Sequence, residues 1–130
     1  MKKGLKVGST ETMTITVTSD MVAQFEGRVV HPAYSTVSLV YHMEWASRKL
    51  ILPFLESHEE GIGAAVQVKH IAPSAVGSVI TVTATVTELR DNIVISAVDV
   101  KNQQGLIGKG EVKQAILPKK VIEEKLAESI

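Results

Sequence analysis

Val37–Phe54 reads VSLVYHMEWASRKLILPF, and its apolar residues fall at helical spacing. Leu39, Val40, Met43, Ser47, Leu50, Ile51 and Phe54 recur at intervals of three and four, the period of one helix face. Val37, Tyr41 and Trp45 add apolar surface on other sides. A helix apolar most of the way round is expected to be wrapped by other structure. Ser35 or Thr36 is the expected N-cap, because a hydroxyl there accepts an N–H that the first turn leaves free. Pro53 is expected to kink or end the helix within a turn, since it has no N–H to donate. Near the middle of the segment stands Glu44. An ionised carboxylate buried without a partner is strongly disfavoured, so a reason for Glu44 has to be sought elsewhere in the chain.

Away from the helix the apolar period changes to two. Met13–Thr18 alternates as a half-buried strand does. Met21–Tyr34 holds one glycine and one proline, and a loop with a single helical turn is expected there. Ser57–Gly61 is another expected loop, and Ile62–Ala72 an expected strand. Ser78–Leu89 is the cleanest strand, with Ile80, Val82, Ala84 and Val86 alternating against Thr81, Thr83, Thr85 and Thr87. A tight turn at Arg90-Asp91-Asn92 returns Ile93–Val100 as a hairpin. Asn102–Gly105 is the next turn, and Leu106–Leu117 the last strand. Gly108 and Gly110 within it mark a bulge or a close backbone approach. Pro118 stops that strand, and residues 119–130 read as a short charged helix or tail.

The order is one strand, one long helix and four antiparallel strands, in a single domain over residues 1–130. One sheet has to cover the helix, which makes the class α+β. A single curved sheet around one helix leaves one side of that helix open. A homodimer, or a dimer of dimers, is expected to close it.

Composition narrows the function classes. The chain has 130 residues, 45% of them apolar, enough for a core of its own. Its 14 basic and 14 acidic side chains cancel, which argues against an electrostatic nucleic-acid binder. With no cysteine, disulfides, thiolate nucleophiles and cysteine-ligated zinc are all excluded. No His-x-x-x-His spacing occurs, so no metal site is expected. The N-terminal MKKGLKVGST lacks the apolar run of a signal peptide. No stretch is long and apolar enough to span a membrane. A cytoplasmic protein without membrane contact is the expectation.

Two ionisable groups fall on apolar faces. Glu44 shares a helix stripe with Val40, Ser47 and Ile51. Taken alone, such a glutamate snorkels or pairs with a lysine. In Ile62–Ala72, period two places His70 in register with Ile62, Ala64, Val66 and Val68, while Gln67 and Lys69 point the other way. A lone histidine there is most often a satisfied core residue. A glutamate facing a histidine across a largely apolar cleft is the arrangement that tunes an acid–base pair. Thr36, two turns before Glu44, lies at the helix start. There it serves as N-cap or sits beside a helix N-terminus suited to an oxyanion. His42 is two residues from Glu44 and makes a poor metal pair with it. His31 and His58 fall in expected loops.

His42-Met43-Glu44-Trp45-Ala46, the run Gly63-Ala64-Ala65-Val66-Gln67-Val68-Lys69-His70, and Gly108-Lys109-Gly110 together resemble the hot-dog-fold acyl-CoA thioesterases of the fluoroacetyl-CoA thioesterase type. The resemblance runs from about Thr36 to about Leu117. It implies a hot-dog fold, an antiparallel sheet wrapped around one long helix. It also implies a catalytic set at Thr36, Glu44 and His70, and an oxyanion contribution from Gly63. Two departures stand out. The segment before the helix, a lid in fluoroacetyl-specific members, is shorter here and does not match. An arginine of their last strand is Gln114 in this chain. The resemblance therefore implies the reaction class and not the acyl group. The expected activity is hydrolysis of an acyl-CoA thioester, with no cofactor beyond the coenzyme A of the substrate. The alternative is a module of the same fold that binds acyl-CoA or another small ligand without consuming it.

Overall fold

In chain order the elements are strand β1 (Thr10–Thr16), a hairpin of β2 (Val22–Phe25) and β3 (Arg28–Tyr34), and helix α1 (Thr36–Ile51). Strands β4 (Glu59–His70), β5 (Val79–Arg90), β6 (Ile93–Asn102) and β7 (Gly105–Pro118) follow, then helix α2 (Lys119–Glu128). The computed structural model describes residues 1–130. Five strands form one antiparallel sheet in the order β1-β5-β6-β7-β4. Helix α1 touches every strand of that sheet, which is the hot-dog arrangement. No helix is long and apolar enough to cross a membrane.

The alternation in β5 translates directly into burial. Ile80, Val82, Ala84 and Val86 are buried against the helix. On the outer face, Thr10 pairs with Thr85 and Thr12 with Thr83, hydroxyl to hydroxyl at 3.3 Å. From α1, Leu39, Met43, Ala46, Leu50 and Ile51 enter the same core, each such side chain contributing about 1.5–3 kcal/mol for the larger ones. Ser35 caps α1 by accepting the Ser38 N–H at 3.0 Å. Leu52–Phe54, with Pro53, tightens into one 3₁₀ turn and ends the helix.

Three expectations are corrected. Met21–Tyr34 is not a loop but mostly the β2–β3 hairpin, after a 3₁₀ turn at Ser19–Met21. Its turn is Glu26-Gly27, with φ of 51° and 77°, so Phe25 pairs with Arg28. Two successive positive φ values suit a hairpin, yet glutamate rarely adopts them, and two register shifts near Ala23 break the alternation. β1 begins at Thr10, ahead of the expected Met13, because Thr10, Glu11 and Thr12 pair with β5. His31 consequently lies on strand β3, exposed.

The third correction concerns β4. A bulge interrupts its pairing with β7 between Gly63 and Ala65. Before the bulge, Gly61 and Gly63 oppose Ile116 and Gln114; after it, Val66, Val68 and His70 oppose Val112, Gly110 and Gly108. The inward face is thus odd-numbered up to Gly63 and even-numbered from Val66. Ile62, expected inward, is 41% exposed. One extra residue in a strand does this.

Gly108 and Gly110 are points of close approach. A Cβ on Gly108 would stand 3.0 Å from Leu39 Cδ2. One on Gly110 would collide with the backbone oxygen of Gln67 and stand 2.8 Å from Met43 Cε. Since a backbone oxygen cannot rotate away, Gly110→Ala is expected to lower unfolding stability by about 2 kcal/mol or more. Urea denaturation checks this.

Candidate active site

The first turn of a helix leaves N–H groups without intrahelical partners. Because Ser35 supplies the cap, the Thr36 hydroxyl is free for another bond. It lies 2.8 Å from His70 Nδ1 at the end of β4. His70 Nε2 is buried with no hydrogen-bond partner. Two turns along α1, Glu44 makes no hydrogen bond and no ion pair within the chain. Its Oε2 is 3.3 Å from the point a Cβ on Gly63 would occupy. Both line a cavity of about 430 Å³, walled also by Tyr41, Trp45, Arg48 and Gln114.

Within one chain, then, Thr36 meets His70 and Glu44 meets Gly63, but Glu44 does not meet His70. The expected confrontation fails because Glu44 is eight residues from Thr36 on the helix, a rise of ~12 Å. Nor is Glu44 covered, as its stripe implied. Ser47 and Ile51 are buried, while Glu44 is exposed together with Val37, Tyr41 and Trp45. The sheet covers one side of α1 only.

The neighbouring polar residues tie elements together. Gln114, buried, donates from Nε2 to the Ser47 carbonyl at 3.0 Å. The Ser96 hydroxyl donates to Ser47 Oγ at 2.8 Å. Arg48 donates from Nη2 to Glu60 Oε2 at 2.9 Å. No three His, Asp or Glu side chains converge as metal ligands.

A pair absent from the sequence reading is Tyr34 with His42. The Tyr34 hydroxyl lies 2.5 Å from His42 Nδ1, and the two rings stack at 5.7 Å. Both are buried. Burial pushes the Tyr34 phenol upward. Burial also pulls His42 below the usual imidazole range, partly offset by its hydrogen bond with the Ser38 carbonyl. The edge of one ring meets the face of the other between Tyr34 and His70, at 6.4 Å, so Tyr34 lies between the two histidines. A signal was present. His42 is three residues after Leu39 and four before Ala46, on the core stripe.

Known proteins bear on this geometry. The family described as FlK, fluoroacetyl-CoA-specific thioesterase, matches residues 17–120. The chain belongs to this family. A hypothetical protein of Thermus thermophilus, described as a thioesterase superfamily member, is 39% identical with a TM-score of 0.92; the match covers 97% of this chain and 93% of that one. The fluoroacetyl-CoA thioesterase FlK itself superposes with a TM-score of 0.91 at 24% identity, over 98% of this chain and 99% of that one. A hot-dog-like protein of Thermanaerovibrio acidaminovorans gives 0.89 at 18% identity, over 95% and 92% of the two chains. At such identities these last two show the shared fold. Among curated proteins none matches the chain.

His42 yields a pH prediction. Its folded value is depressed, so the unfolded chain binds the extra proton first. Stability is full above the ordinary histidine value of about 6.5 and is lost as pH falls below it toward the folded value. Urea midpoints are expected to be lower at pH 5.5 than at pH 7.5, with a smaller difference in His42→Leu.

Proposed function

We propose that the protein hydrolyses an acyl-CoA thioester to the free acid and CoA, in a cleft completed by a second copy of the chain. The observation that carries this reading is the state of Glu44, an unpaired carboxylate beside a side-chain-free strand position at Gly63. Membership of a thioesterase family and the Thr36–His70 hydrogen bond support it.

The need for a second copy follows from distance and exposure. Thr36 and Glu44 are ~12 Å apart along α1, too far for one carbonyl to touch both. Between them runs an apolar face with Val37 75%, Tyr41 60% and Trp45 43% exposed. An isologous dimer brings residue i of one copy to residue j of the other. With the two helices antiparallel and the axis beside Val40, Thr36 of one copy lies across from Glu44 of the other.

In that cleft the thioester carbonyl points its oxygen at the N-terminus of α1. Free N–H groups and the positive end of the helix dipole stabilise the oxyanion. Gly63, with no Cβ in the way, lets the β4 backbone approach the thioester and adds its N–H to the oxyanion site. Glu44 takes a proton from water as that water attacks, or adds directly and forms an anhydride that water then opens. The tetrahedral intermediate collapses, the C–S bond breaks, and CoA leaves as thiolate. A thiolate is a weaker base than an alkoxide and leaves the more readily. His70 fixes the Thr36 hydroxyl and so the polar edge of the site.

Thiol release from a panel of acyl-CoA esters, acetyl to long-chain and including fluoroacetyl, tests the reading. Release by the wild type, with kcat reduced at least ~10²-fold in a folded Glu44→Gln variant, is the expected result. Esters that raise the melting temperature without any release would assign the non-catalytic binding module instead. Single turnover in ¹⁸O-water identifies the nucleophile route where ¹⁸O enters Glu44, by attack of water at the Glu44 carbonyl of the anhydride; the general-base route places the label in the acid alone. A Tyr41→Glu variant is expected to sediment as a monomer and to lose activity.

A further inference from the structure

We infer that Glu60 is a positioning residue that holds Arg48 away from Glu44, an inference that rests on the reading of Glu44 as the reacting carboxylate. Glu44 and Arg48 are four residues apart on α1, glutamate first. That order and spacing is the one that most favours an ion pair on a helix. Both residues line the same cavity and are the only charged groups in its wall. Yet the pair does not form.

Arg48 is diverted. Its Nη2 donates to Glu60 Oε2 at 2.9 Å, and the same oxygen accepts the Gly61 N–H at 3.0 Å. Glu60 is therefore anchored to the backbone of β4 at the point where it receives the guanidinium. The Gly61 N–H, and after it Arg48, hold the Glu60 carboxyl below the usual carboxylate range, so it stays charged at neutral pH. Gly61 completes the device. A Cβ there would collide with Ile51 Cδ1, so glycine lets the strand that carries Glu60 lie close against α1.

The consequence falls on Glu44. A guanidinium on that carboxylate would stabilise its charged form and weaken it as a base or nucleophile. It would also fill the place of the attacking water. The residues that line the cavity with Glu44 are Tyr41, Trp45 and Arg48 from its own helix, Gly61 and Gly63 from β4, and Val112 and Gln114 from β7. With Arg48 held by Glu60, no cation of the same chain opposes the carboxylate; in the proposed dimer the nearest titratable group across the cleft is the His70 that holds Thr36 of the second copy.

Two measurements on the Glu60→Gln protein test this. In its crystal structure at neutral pH, Arg48 is expected within hydrogen-bond distance of Glu44. In acetyl-CoA hydrolysis, kcat/KM is expected to fall about 10-fold, and the acid limb of its pH profile to move down by about one pH unit. Adding Arg48→Gln is expected to return both toward the values of Arg48→Gln alone, a rescue that a merely structural role for Glu60 does not give. Arg48 remaining off Glu44 in the variant overturns the inference, whether or not the wild type turns over any ester. So does an unmoved acid limb. A wild type that releases no thiol from any ester overturns the hydrolase reading instead, and the crystal structure of the variant still decides the clamp.

Discussion

The closeness of α1 to β7 is the constraint on which the remaining geometry depends. Leu39 lies over Gly108 and Met43 over Gly110, with no β7 side chain beneath either. This depth lets the helix bury Leu39, Met43, Ala46 and Ile51 completely. It also brings the helix start within reach of His70, which pairs with Gly108 across β4 and β7. The Thr36–His70 hydrogen bond is thus a product of packing one turn away. Larger residues in β7 would lift the helix and separate the pair.

The same packing covers α1 on one side and leaves the other bare. On the covered side the polar atoms are satisfied in pairs, Ser47 with Ser96, Gln114 with the Ser47 carbonyl, and Tyr34 with His42. On the bare side Glu44 has no partner, and aromatic and aliphatic side chains face outward. Core logic and site logic occupy opposite faces of one helix. This is why a stripe drawn through Glu44, Ser47 and Ile51 joined residues that belong to different environments.

Much of the frame was legible in the sequence because its rules are local. The alternation of β5, a hydroxyl cap at Ser35 or Thr36, the stop at Pro53 and the turn at Asp91 each follow from a few neighbouring residues. His70 was correctly placed on the inward face by parity. The hairpin before α1 was hidden because Glu26 adopts a conformation that its type seldom takes, and because shifts near Ala23 erase the period. The inward role of Gly61 and Gly63 was hidden because a bulge at Ala64 has no compositional mark. Gly63 itself came from resemblance and not from pattern. The expected meeting of Glu44 and His70 was inferred from faces, which carry no information on position along an element. Tyr34 and His42 lie eight residues apart, and a pairing between a strand end and a helix interior has no spacing rule to reveal it.

The bulge at Ala64 makes β4 a strand with two phases. Its N-terminal half presents glycines to the helix and its C-terminal half presents Val66, Val68 and His70. Changing the identity of Ala64, which is exposed, leaves both phases intact. Changing the number of residues between Gly63 and Val66 does not, because a single deletion forces one half to turn over. The spacing between the carboxylate's strand neighbour and the histidine is therefore counted in parity as well as in length. The length of that short stretch is thus more tightly constrained than its lettering.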